Sequence, residues 1–213
     1  MLLYPVASIR SHSSLRAEQA ALTRSRILDA AAHEFEEQGY AGARIDDIAA
    51  AAGVAVPTVY KVFTNKVNLL VGSLNRAMAG DDAARIDQQD WFTEQLDEPD
   101  PERQLHLIAR NARRIYECAG RLLNVLRGAA PLDAELNRAW QGIAAQRLDR
   151  SQATAESLNA KDGGRLRLSR AETATTLWTL TEPELFATYT AGRRTADQYE
   201  SWLGDILCRS LLD

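Results

Sequence analysis

Cysteine, histidine and proline are scarce in this chain of 213 residues, with two, three and six copies respectively. Cys118 and Cys208 lie far apart in segments that read as separate helices, so no disulfide framework is expected. His12, His33 and His106 are scattered over a tail and two other helices, and neither they nor the cysteines fall at metal-ligand spacing. Cys118 and His106 are separated by three helical turns, roughly 18 Å, which argues against a nucleophile and base pair. With no glycine-rich phosphate loop and no G-x-S-x-G either, no catalytic residue, metal site or cofactor is expected, and the chain does not read as an enzyme. Long hydrophobic runs are also missing. The opening MLLYPVASI lacks a basic flank and a long apolar stretch, so neither an export leader nor a membrane partner is expected, and a cytoplasmic location fits. No segment alternates with period two over strand length, which leaves an all-α chain. Nor is there a basic excess: the net charge is −4, the pI is near 5.5, and residues 1–66 carry seven charges of each sign. Such a chain is a poor non-specific polyanion binder, and any DNA contact must rest on a local patch.

The segment from Ile27 to Leu70, ILDAAAHEFEEQGYAGARIDDIAAAAGVAVPTVYKVFTNKVNLL, packs three short amphipathic helices and a tight glycine turn into one unit. In IAAAAGVAVPTVYKVF, Ile48 to Phe63, the alanines let one helix approach its neighbour closely. Gly53 supplies a positive φ at the turn, and Pro57 suits the first turn of the next helix. This is the layout of a helix-turn-helix. Val59, Val62 and Phe63 fall at i, i+3 and i+4 and mark the buried face of the second helix. Thr58, Tyr60 and Lys61 point outward, where a hydroxyl, a phenol and an ammonium suit phosphates and base edges.

These residues resemble the DNA-binding domain of the TetR/AcrR family of bacterial transcription regulators. Phe35, Gly39, Tyr40, Asp46, Asp47, Ile48, Ala49, Ala52, Gly53, Val54, Thr58, Tyr60, Phe63, Lys66, Leu69 and Leu70 all fall in register with its pattern. The resemblance implies DNA contacts from Arg44, Val56, Pro57, Thr58, Tyr60, Lys61 and Lys66. Two positions depart from it: Arg44 and Ala55 stand where the family commonly carries a capping hydroxyl. An alanine there loses a hydrogen bond worth about 1 kcal/mol, and Asp46 and Asp47 offset this through the helix dipole.

The chain divides into a flexible arm over 1–22, a helix-turn-helix domain over 23–68, and a larger helical domain over 69–213. Helix 1 is expected to follow Thr23 and stop at Gly39, and helix 4 to start at Asn65 or Lys66. Gly80 to Glu102 is acidic and reads as a loosely helical connector. Asp100 and Pro101 open a long helix whose apolar residues, from Leu105 to Leu126, recur at helical spacing for six turns. A further helix follows Pro131, with Leu136, Trp140, Ile143, Leu148 and Leu158 inward, and Gly163-Gly164 ends it. Ser169 with Glu172 and Thr195 with Gln198 form capping boxes for the last two helices, the first of them broken near Pro183.

LWTLTEPELFATY, Leu177 to Tyr189, and YESWLGDIL, Tyr199 to Leu207, resemble the carboxy-terminal helices of the same family. The resemblance implies a homodimer through Trp178, Leu185, Phe186, Tyr189, Trp202, Leu203 and Ile206. It also implies a small-molecule effector in the second domain, with Trp91, Phe92, His106, Arg110, Tyr116, Cys118 and Trp140 as candidate contacts. Few polar residues sit on inward faces, which favours an apolar or aromatic effector. The expected function is a repressor released from palindromic double-stranded operator DNA by that effector. The alternatives are an activator, a protein-controlled regulator, or an all-α ligand-binding or enzymatic protein with a vestigial DNA-binding domain.

Overall fold

The computed structural model describes residues 12–79, 86, 89–161 and 166–213. Among these described residues ten α-helices follow one another: α1 His12–Gly42, α2 Ile45–Ala52, α3 Val56–Phe63, α4 Lys66–Ala79, α5 Asp90–Asp97, α6 Pro101–Ala129, α7 Ala134–Lys161, α8 Arg170–Leu180, α9 Pro183–Thr190 and α10 Ala196–Leu211. Among the described residues no strand forms, and one isolated bridge joins Leu166 to Leu212. The all-α expectation holds.

Helix α1 begins at His12 and runs through Thr23, so that threonine is interior rather than a cap. The expected arm is helical from His12 onward, and its first eleven residues lie outside the described residues. The break at Gly39 is real: at φ 67°, ψ 176° it leaves helical geometry, a conformation available to a residue without Cβ. Ile27, Leu28, Ala31 and Phe35 then bury one face of α1 against Ile48, Val59, Phe63 and Leu70 in a continuous core.

Three cap expectations are met atom by atom. The Asp100 carboxylate accepts from Glu102 N at 3.0 Å, with Pro101 opening α6. Ser169 and Glu172, and Thr195 and Gln198, form reciprocal capping boxes on α8 and α10. Each satisfies two amides that a helix start leaves without partners. Helix α7 starts later than Pro131, because Pro131 lies in a 3-10 turn and the Asp133 carboxylate caps Glu135 N and Leu136 N instead. Gly163-Gly164 lies outside the described residues. Leu136 and Leu158 are fully buried, whereas Leu148 is 38% exposed and faces solvent, not the core.

Helix α6 runs through the second domain with α10, α7 and α4 packed around it. Leu105, Ala109, Ala119, Leu122 and Leu126 are all fully buried along it. Burying a leucine of this kind contributes about 2 kcal/mol, so the stripe accounts for the helix's place at the centre.

Candidate nucleic-acid interface and ligand cavity

The turn between α2 and α3 is made by Gly53 at φ 66°, ψ 39°, whose amide bonds back to Ala50 O. Val59 and Phe63 bury one side of α3, and Tyr60, 49% exposed, and Lys61 face outward with Pro57. Val56 and Thr58 are half-buried. Neither α2 nor α3 has a side-chain cap, as Arg44 and Ala55 imply. Arg44 instead pairs with Asp46 at 3.8 Å and Asp47 at 3.6 Å, so a phosphate would compete with exposed carboxylates worth little to either partner.

Two basic residues are placed by rings. Arg24 stacks over Phe63 at 4.5 Å, and Lys66 Nζ sits 4.8 Å above the Tyr40 ring. Burial pushes the Lys66 pKa below its ordinary value against the opposing pull of Glu34. Lys66 is therefore partly a packing residue, less free than a phosphate-reaching ammonium.

The junction of α3 and α4 is strained. Thr64 has φ 61°, ψ −49°, and Asn65 N bonds to Phe63 O across it at 2.6 Å, the geometry of the rare γ-turn. The turn sets Asn65 to two tasks. Its Oδ1 caps α4 by accepting from Asn68 N at 2.7 Å, and its Nδ2 donates to both Glu135 oxygens of α7 at 3.1 and 3.2 Å. Arg121 of α6 meanwhile pairs with Glu36 and Glu37 of α1. The polar contacts that join the two domains include these two, neither of which stands out in the sequence because both are distant pairs.

A cavity of about 80 Å³ opens between α5, α6 and α7. Trp91, Phe92 and Tyr116, three of the seven expected effector contacts, line it. The other four do not. His106 is exposed and its ring covers the backbone of Gly204 on α10; Arg110 pairs with Glu94 on the surface; Cys118 is exposed; and Trp140 packs on the core elsewhere. They point away because a straight helix offers only one stripe to the cavity, and these positions fall outside it.

The sequence reading missed the cavity's polar side. Asn111 Nδ2 donates to Gln95 Oε1 at 3.0 Å and Gln95 Nε2 donates to Thr154 Oγ1 at 3.3 Å, with all three side chains buried. At one end the Arg147 guanidinium donates to Glu182 at 2.6 Å, Trp178 O at 2.9 Å and Thr181 O at 3.0 Å. Tyr116 OH also donates to Thr181 O, and burial raises its pKa. The available signal was Asn111, a polar residue inside the apolar stripe of α6, at helical spacing from Ile108 and Ile115.

The carboxy-terminal aromatics divide into two groups. Phe186, Tyr189 and Trp202 surround the fully buried Tyr199, with Phe186 edge-on at 4.9 Å and Tyr189 stacked on Trp202 at 4.9 Å. Leu203, expected at a dimer face, is 0% exposed inside the subunit's own core, where α10 packs on α6. Trp178, Leu185 and Ile206 are half-buried without joining that core.

The fold and site define a helix-turn-helix domain mounted on an α-helical domain with an internal cavity. Residues 27–71 match the family described as bacterial regulatory proteins, tetR family. The transcriptional repressor KstR of Mycolicibacterium smegmatis is 38% identical over 76 residues, 36% of this chain and 37% of that protein. KstR of Mycobacterium tuberculosis is 37% identical over 76 residues, 36% of this chain and 34% of that protein. The chain thus spans little more than a third of these relatives. NalD of Pseudomonas aeruginosa, the secondary repressor of the MexAB-OprM multidrug efflux pump, superposes with TM-score 0.69 at 25% identity over 92% of this chain and 98% of its own. A transcriptional regulator from Saccharomonospora viridis in complex with choline shares the fold with TM-score 0.66 at 20% identity over 89% and 97%. The family match thus covers residues 27–71, and over most of its length the chain shares the fold of NalD.

Proposed function

We propose that this protein is a homodimeric transcription repressor that binds a palindromic operator through α3 and leaves it when a small molecule fills the cavity between α5, α6 and α7. The observation that carries the DNA-binding half is the side-by-side exposure of Tyr60 and Lys61 on a helix whose opposite face is locked into the core. Pro57, Thr58 and Val56 flank them at the start of the helix, where groove contacts concentrate. A two-fold operator needs two such helices, and Trp178, Leu185 and Ile206 supply an apolar face for a second copy. The repressor names of KstR and NalD favour repression over activation. The cavity supports control by a small molecule, since a ligand that favours one arrangement of the domains shifts operator affinity by its differential binding.

Selection from a randomised DNA pool, followed by gel-shift titration, tests the reading. Tyr60→Ala or Lys61→Ala should cost roughly 1 to 3 kcal/mol if the side chain reads a base, and Lys66→Ala, with its ammonium partly spent on Tyr40, should cost less. Equal enrichment of all sequences, or binding unchanged by Tyr60→Ala together with Lys61→Ala, would refute it.

A further inference from the structure

The cavity's chemistry is more specific than its location. One wall is aromatic, formed by Trp91, Phe92 and Tyr116. Tyr116 spends its hydroxyl on Thr181 O and so offers the cavity its ring. The lining also carries the Asn111, Gln95 and Thr154 chain, three uncharged polar groups from α6, α5 and α7. Burying three such groups is costly unless they are paired. In that chain Asn111 donates through Nδ2, so its carbonyl oxygen is the acceptor it can offer to the cavity it lines.

Full charges at the cavity are already committed. Arg147 makes an ion pair with Glu182 and two carbonyl bonds, and Arg150 is engaged by the protein as well. An anion would have to compete for these guanidiniums, and a cation would meet two of them with the nearby carboxylate of Glu182 already taken.

We infer that the cavity takes a small, uncharged aromatic molecule with one amide-like hydrogen-bonding group: its ring lies against Trp91, Phe92 and Tyr116, and its donor reaches Asn111 Oδ1. This class rests on the effector reading above and narrows it. It excludes choline-like cations, although a protein of the same fold holds choline.

Titration of the full-length protein with benzamide, toluene, benzoate and choline, read by calorimetry, tests the assignment. Benzamide should bind at least about tenfold more tightly than each of the other three, the equivalent of one hydrogen bond to a buried partner. Asn111→Leu should reduce the advantage over toluene to less than about threefold while leaving toluene affinity in place. Thr154→Val leaves Asn111 Oδ1 in place and should keep the preference for benzamide; its loss there would overturn the assignment of the donor to Asn111. Toluene, benzoate or choline matching benzamide would overturn the inference, as would failure of all four to bind. Operator binding by the unliganded protein is measured alongside: its loss would count against the regulator reading, whereas intact operator binding with the wrong ligand order counts against the ligand class alone.

Discussion

Arg147 is the residue whose removal should cost this fold most for a single polar side chain. Its side chain is 9% exposed, and its guanidinium ties α7 to the break between α8 and α9 through Glu182, Trp178 O and Thr181 O. The guanidinium also lies 5.7 Å from the Trp178 ring. Breaking a buried pair by removing one partner costs about 3 to 5 kcal/mol, because the other charge stays behind. Here Glu182 keeps 29% exposure, so water takes up part of the burden, and Thr181 O retains Tyr116 OH. Arg147→Ala should therefore fall at the lower end, about 3 kcal/mol. Arg147→Met keeps most of the aliphatic stem and should recover about 1 kcal/mol of that. Glu182→Gln leaves the guanidinium its two carbonyls and should cost only about 1 to 2 kcal/mol. Urea unfolding of the three variants, followed by fluorescence and compared at the transition midpoint, gives the order directly. Arg147→Ala within about 0.5 kcal/mol of the parent would refute the reasoning, since the cluster would then hold nothing that solvent could not replace.

Leu203 and Leu185 separate core from interface. Leu203→Ala should destabilise the subunit by about 2 to 5 kcal/mol in denaturant unfolding, whereas Leu185→Arg should leave subunit stability nearly intact and yield monomers in sedimentation, with weakened operator binding. A monomeric parent protein would sink the second expectation. The two thiols should also behave differently. Burial, then Glu102 and Asp205, push the Cys208 pKa up to about 11, so at pH 8 about one part in a thousand is thiolate. Iodoacetamide should accordingly label exposed Cys118 in the native protein, and Cys208 only after unfolding; equal labelling rates would contradict the packing of α10 on α6.

The sequence by itself determined several helix boundaries that rest on a local rule, though not the starts of α1 and α7. Asp100 and Pro101, the two capping boxes, Gly39, Gly53 and Pro183 act within three or four residues, and such contacts can be read in order along the chain. The buried face of α3 and the long stripe of α6 followed from helical period for the same reason. Exposure within that stripe was less certain, because period two or three turns away from a neighbour does not say which neighbour arrives. Leu203 and Leu185 share the same apolar character, yet one is core and the other half-exposed, and only the packing of α10 on α6 separates them. His106 and Cys118 looked like site residues because of their chemistry, and the helix turned them outward. The Asn111, Gln95 and Thr154 chain, the Arg147 clasp and the Asn65 to Glu135 contact join residues 16 to 70 positions apart. No local propensity encodes such pairs, so tertiary structure alone decided the cavity's polarity and the way the two domains are joined.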